Sequence, residues 1–210
     1  MHYRHLFWDM GGTLVDTYPE LDQTLADEAR AGGRPVPLDD VAGLTRVSPR
    51  HAIAQLAERT GLPAARFAEA NARLKARWRT QPAPAMPGAR ALLTDVRAAG
   101  GLNLVVTHRD RASAEALLTA LDLTVDDLVC APDGHPRKPD PTMVRLLLER
   151  HGLVAGDCLF VGDRPIDAEA AARAGMDAAL LVGHHADAAN ATHVVEHLGE
   201  LRPLLGLEAA

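Results

Sequence analysis

The sequence predicts an α/β fold in which a parallel sheet is covered on both faces by helices and an all-helical segment is inserted after the first strand. Three observations carry that prediction. Short apolar runs, HLFWDM, LNLVVTH, CLFVGD and AALLVG, with a weaker one at DLVCAP, stand at the heads of separate segments. Between them lie Ala/Leu-rich stretches of helical character, ARALLTDVRAAG, ASAEALLTALDL and DPTMVRLLLERHG. Strands alternating with helices build βαβ units, and near-continuous apolar strands belong to sheets buried on both faces. The third observation is an interruption, because from Tyr18 to Gln81 helical segments follow one another without a strand.

Taken in order, the first run reads as a buried strand that delivers Asp9 to the rim of the sheet, where Gly11 and Gly12 turn the chain and Thr13 follows. The insert reads as PELDQTLADEARAGG, PLDDVAGLTR, SPRHAIAQLAERTG and PAARFAEANARLKARWRT. Gly32, Gly33 and Pro35 punctuate it, Ser48-Pro49 opens its third helix and Gly61 closes that helix. TQPAPAMPG then returns the chain as a semi-rigid connector. The expected division is a core of residues 1–17 and 82–210 and a helical cap of residues 18–81. Within the core, LNLVV ends at Thr107, RKPDP carries Lys138, Asp140 reads as the N-cap of the PTMVRLLLER helix, and CLFVG ends at Asp163. Near the end, THVV reads as a strand. The histidines of GHHADAANATHVVEHL, His193 and His197 among them, are therefore expected at the surface and not at a metal.

Apolar residues make up 47% and charged residues 24%, the balance of an ordinary globular chain. A net charge of -6 with no basic run argues against a nucleic-acid partner held by its phosphates, so a small anionic ligand would need a locally positive pocket. No apolar run approaches the ~20 residues of a membrane span, and the opening MHYRHLFWDM is too short in apolar residues for a signal peptide. The expected address is cytoplasmic, with Cys130 and Cys158 as buried small hydrophobes. Only two lysines occur, Lys75 and Lys138, among 22 lysines and arginines. A lysine kept against that background marks a place where a compact point charge suits better than a guanidinium fork.

In ligand-binding parallel sheets the chemistry gathers at the carboxyl ends of the strands, and the polar residues above follow those ends. Together they form a chemical set. A carboxylate can attack phosphorus and split one hard displacement into two easier ones. Mg²⁺ suits a few carboxylates plus water and phosphoryl oxygens, which Asp9, Asp163 and Asp167 can provide. A hydroxyl on Thr107, a neighbouring backbone N–H and the Lys138 ammonium can hold the equatorial oxygens.

With these residues the chain resembles the haloacid dehalogenase-like hydrolase superfamily. That family carries D-x-D-G-T, a lone Ser or Thr after the second motif strand, a Lys often followed by Pro, and G-D-x-x-x-D. Here the four stand in order as DMGGT, VVTHRD, RKPDP and GDRPID. The resemblance implies a Rossmann-like core, a C1-type helical cap that closes over the substrate, and a Mg²⁺-dependent phosphatase acting on small phosphorylated metabolites through an aspartyl phosphate. By that resemblance Asp9 is the nucleophile, Thr107 and Lys138 are catalytic phosphate holders, and Gly12 and His108 join them at the phosphate. Asp9, the Gly11 carbonyl, Asp163 and Asp167 would hold the metal. A monomer or weak homodimer is expected, and cap residues such as Arg50, His51, Arg77 and Trp78 are candidates for specificity.

The departure from the pattern is Gly11, which stands where the family has the second Asp. A glycine keeps the backbone carbonyl that binds metal and lacks the carboxyl that moves the proton. Metal and phosphate binding are therefore expected to persist while turnover is weak or restricted to good leaving groups. The alternative is a phosphate-binding regulatory pseudoenzyme. A phosphonatase-like reaction using Lys75 is a lesser option, and His108 is the nearest candidate for a substitute proton carrier.

Overall fold

The computed structural model describes residues 3–181 and 190–208. They fall into two compact units, Met1–Val15 with Ala85–Ala210, and Asp16–Pro84.

The first unit holds the sheet. Its strands are β1 (His5–Trp8), β2 (Asn103–Thr107), β3 (Asp127–Cys130), β4 (Cys158–Gly162), β5 (Asp177–Leu181) and β6 (His193–Val195). They lie in the order β3-β2-β1-β4-β5-β6, and every pair is parallel. This is the Rossmann-like arrangement the alternation predicts, with THVV supplying the edge strand; His184 and His185 lie outside the described residues. The chain runs outward from β1 to β3 and then crosses back to β4, so β1 sits where the order reverses. Loops at such a point diverge and leave a crevice at the carboxyl ends of the strands. Register matters for what the crevice receives: Trp8 pairs with Val105 and with Val161, so Asp9, Thr107 and Asp163 leave the same end of three adjacent strands.

The second unit is helical: α1 (Tyr18–Ala31), α2 (Leu38–Val47), α3 (Pro49–Thr60) and α4 (Ala64–Arg77). Ser48 caps α3 by accepting the His51 N–H at 3.0 Å, and Gly61 closes it in the left-handed region at φ 72°. A buried polar knot ties α1 to α2. Asp22 accepts the Thr45 hydroxyl at 2.5 Å and the Arg46 guanidinium at 3.1 Å, and Arg46 lies 3.8 Å from the centroid of the Tyr18 ring. Removing the carboxylate strands a cation that is only 16% exposed. Asp22→Ala is accordingly expected to destabilise the protein by about 2–3 kcal/mol, the cost of breaking a buried pair reduced for Arg46's residual hydration. Urea unfolding measures it, and a change below about 0.5 kcal/mol would remove the knot from the account of this unit.

Four further helices complete the sheet unit: α5 (Ala89–Ala98), α6 (Arg111–Ala120), α7 (Thr142–His151) and α8 (Pro165–Arg173). Asp140 does not cap α7 directly, because Pro141 holds the cap position and Asp140 instead accepts the Thr142 N–H at 2.9 Å. Strand residues Phe7, Leu104, Val106, Val129 and Phe160 form one core with Met143, Val144 and Leu147 of α7 and Ala168, Ala170 and Ala171 of α8. Each large side chain so buried contributes roughly 1.5–3 kcal/mol. The polar residue that opens β2 is satisfied: Asn103 accepts the Trp8 indole N–H at 3.1 Å and donates to the Leu93 carbonyl at 2.9 Å. Among the described residues no helix is long and apolar enough to cross a membrane.

Candidate active site

Asp9 is the first residue after β1, and its own N–H is donated to the Val161 carbonyl at 2.9 Å, so the sheet fixes its backbone. Its carboxylate is buried and receives the Lys138 ammonium on Oδ1. The same ammonium lies 2.7 Å from Asp167 Oδ1 and donates to the Val106 carbonyl at 2.9 Å. One buried cation thus touches the ends of β1 and β2 and the first turn of α8. Lys138 is 4% exposed, so it is held in place and does not sample solvent.

Asp163 leaves β4 beside Asp9, and Thr13, two residues past the first glycine of the turn, donates its hydroxyl to Asp163 Oδ1 at 3.1 Å. Asp167 sits in the first turn of α8, where its Oδ2 accepts the Arg164 N–H at 3.1 Å. Asp9, Asp163 and Asp167 each offer an oxygen within 4.8 Å of the others'. Gly162 makes that approach possible: a Cβ there would stand 2.4 Å from the Asp167 Cβ, closer than real atoms come. Lys138 touches two of the three, Asp9 and Asp167. Hard oxygen ligands with an excess of negative charge are the donor set that Mg²⁺ takes, so the residues present fit that ion.

The electrostatics divide the acids. Burial alone would push Asp9 up, but the Lys138 and Arg164 cations hold its carboxyl below the usual carboxylate range, so it is ionised at neutral pH. Asp167 is pushed the other way, by burial and then by Asp9, against the pull of Lys138. Burial works against the Lys138 ammonium, and the two carboxylates Asp167 and Asp9 outweigh it and raise its pKa.

The structure places the remaining predicted residues less uniformly. Thr107 ends β2, is buried, and accepts the Arg109 N–H on its hydroxyl oxygen at 3.1 Å, which leaves the hydroxyl hydrogen as a donor. Gly12 adopts φ 92°, and its N–H goes to the Val15 carbonyl at 2.8 Å. That turn geometry favours glycine. His108 accepts the Lys138 backbone N–H on Nε2 at 2.7 Å. Gly11 is half-buried and bridges to Val15.

In the helical unit, Arg77 and the indole N–H of Trp78 both bind Glu20, at 2.6 and 3.0 Å; Arg77 is exposed and Trp78 is buried. Arg50 is exposed on α3, His51 is half-buried there, and Lys75 is exposed on α4. Sequence reading assigned no role to the Thr13 hydroxyl, the Val106 carbonyl or Gly162. The motif spelling DMGGT and GD contained two of them, and the third is a backbone atom that only the sheet neighbours reveal.

Comparison with known proteins agrees with this geometry. Residues 3–175 match the family described as haloacid dehalogenase-like hydrolase. The phosphoglycolate phosphatase of Rhodospirillum rubrum is 33% identical, over 84% of this chain and 78% of its own length. The phosphoglycolate phosphatase of Yersinia pestis is 31% identical over 97% of this chain and 94% of its own. Among solved structures, a hydrolase from Streptococcus pneumoniae is 28% identical with a TM-score of 0.71, covering 99% of this chain and all of that one.

Proposed function

The chain belongs to the haloacid dehalogenase-like hydrolases, as a phosphatase-type hydrolase, and from that premise we propose that it cleaves small phosphate monoesters at Asp9 with Mg²⁺ bound and with a strong dependence on the leaving group. One observation carries the reading: a buried carboxylate, in contact with a buried lysine, at the head of a cluster of three acids, with a glycine two residues on.

In this mechanism an Asp9 carboxylate oxygen attacks phosphorus and the bond from phosphorus to the leaving oxygen breaks, giving an aspartyl phosphate. Lys138 and the Thr107 hydroxyl stabilise the equatorial oxygens as charge develops on them. Water then attacks phosphorus, inorganic phosphate departs and the Asp9 carboxylate is regenerated. Asp9, Asp163, Asp167 and the Gly11 carbonyl are the groups that would hold Mg²⁺, which when bound neutralises phosphoryl charge. Gly11 offers no proton to the leaving oxygen. Aryl and acyl phosphates, whose leaving groups depart as stable anions, are the favoured substrates, and phosphoglycolate, named for the relatives, is the first alkyl ester to try.

Steady phosphate release from an aryl phosphate that depends on added Mg²⁺ is the expected result. Its absence, with inorganic phosphate still bound, would favour the second reading, a phosphate-binding regulatory pseudoenzyme, for which Gly11 is the supporting feature. Independently of turnover, Mg²⁺ is expected to raise the thermal midpoint of the protein. At a hundred times its Kd the stabilisation is about 2.7 kcal/mol. Asp163→Asn should weaken that response, and an Mg²⁺-insensitive melting curve would remove the metal from the proposal.

A further inference from the structure

We infer that His108 is a positioning residue for Lys138: its imidazole anchors the backbone of the loop that carries the lysine. The inference rests on the phosphatase reading for its consequence and on geometry for its content. Lys138 lies in a turn between β3 and α7, past the short 3-10 helix of residues 131–133 and outside any sheet ladder. Its ammonium must nevertheless reach Asp9, Asp167 and the Val106 carbonyl at once. Two backbone bonds shape the segment: His135 N–H to the Ala131 carbonyl at 3.0 Å, and Asp140 N–H to the Arg137 carbonyl at 3.1 Å, which closes a turn around Lys138 without using its amide. The amide of Lys138 itself is bonded to His108 Nε2, thirty residues earlier, at 2.7 Å.

The direction of that bond fixes the chemistry of the ring. A backbone N–H can only donate, so Nε2 must be the unprotonated nitrogen and the proton of the neutral imidazole sits on Nδ1. The surroundings favour that form: burial, then the Lys138, Arg137 and Arg164 cations, hold the His108 pKa down to about 3, against a smaller opposing pull from Asp9. A ring held neutral and bonded through Nε2 anchors the loop from the end of β2. Because Thr107 is the last residue of that strand, one strand end supplies the hydroxyl and, one residue later, the anchor for the ammonium.

Two variants separate anchoring from mere packing. Gln at position 108 can offer its side-chain oxygen near the Nε2 position, whereas Ala offers no acceptor. Amide hydrogen exchange at Lys138 is the direct readout, with core amides of β1 and β4 as the folding control. The Lys138 N–H is expected to be protected in the wild type and in His108→Gln and to lose protection in His108→Ala while the core amides keep theirs. With an aryl phosphate and Mg²⁺, His108→Ala should lose on the order of 10²-fold in turnover, the cost of a misplaced catalytic group. His108→Gln should recover most of that loss.

Retained protection of Lys138 in His108→Ala would overturn the inference, and so would equal loss of turnover in both variants with the amide still protected. Absence of turnover in the wild type would count against the phosphatase reading alone. The exchange result decides the anchoring either way.

Discussion

Replacing Asp9 by Asn is expected to lower Mg²⁺-dependent release of phosphate from an aryl ester by about 10⁴-fold or more, the scale seen when a covalent nucleophile is removed. The amide is nearly isosteric and cannot attack phosphorus. Its effect on the fold should be small, because Lys138 keeps Asp167 at 2.7 Å and the Val106 carbonyl at 2.9 Å. Losing the charge at position 9 also removes the repulsion that helps raise the Asp167 pKa. The variant therefore isolates chemistry from stability: turnover collapses while the melting temperature and the affinity for inorganic phosphate persist. Quenched-reaction trapping of a hydroxylamine-labile phosphoprotein in the wild type, absent in Asp9→Asn, would identify the acyl phosphate. Residual turnover within tenfold of the wild type would exclude Asp9 as the nucleophile and with it the proposed mechanism.

How much of this was legible in the sequence depends on whether a feature is local. The run HLFW announces a buried strand by composition alone, and Asp9 follows it in the chain, so both were readable. The parallel sheet followed from strands and helices taking turns, a pattern that leaves little choice of topology. Lys138 stood out because lysine is rare in this chain, yet one of its partners, the Val106 carbonyl, could not be read from any side-chain code. Gly162 had no role assigned from its place in GDRPID and proves to be where helix and strand meet too closely for a Cβ. The Gly12 amide and the His108 ring have partners that no motif announces, the Val15 carbonyl and the Lys138 amide, which the fold brings to them. Cross-strand and loop-to-loop partners are set by register and packing, which short motifs do not encode.

Gly11→Asp is expected to raise turnover of an alkyl phosphate such as phosphoglycolate by about 10²–10⁴-fold, the contribution of a positioned general acid or base. The backbone permits the substitution: the turn's left-handed position is Gly12 at φ 92°, and Gly11 is not among the positive-φ glycines. A carboxyl there is a fourth acid, two residues after Asp9, one of whose oxygens already lies within 4.8 Å of oxygens of Asp163 and Asp167. Like charges so close cannot all ionise without a counter-ion, so the added group should hold a proton more readily than a free Asp does. That is the state needed to protonate a leaving alkoxide. The same crowding should make the variant less stable than the wild type without metal and more responsive to Mg²⁺.

The pattern across substrates locates the defect. Protonation of the leaving oxygen matters for an alkyl ester and hardly at all for an aryl ester, whose phenolate leaves unaided. A gain confined to the alkyl ester therefore assigns the missing carboxyl to formation of the aspartyl phosphate. Equal gains on both would assign it to activation of the water that hydrolyses that intermediate, a step the two substrates share. If Asp at position 11 improves neither ester while Mg²⁺ still binds, the glycine is not what limits this protein, and the leaving-group restriction proposed above falls with it.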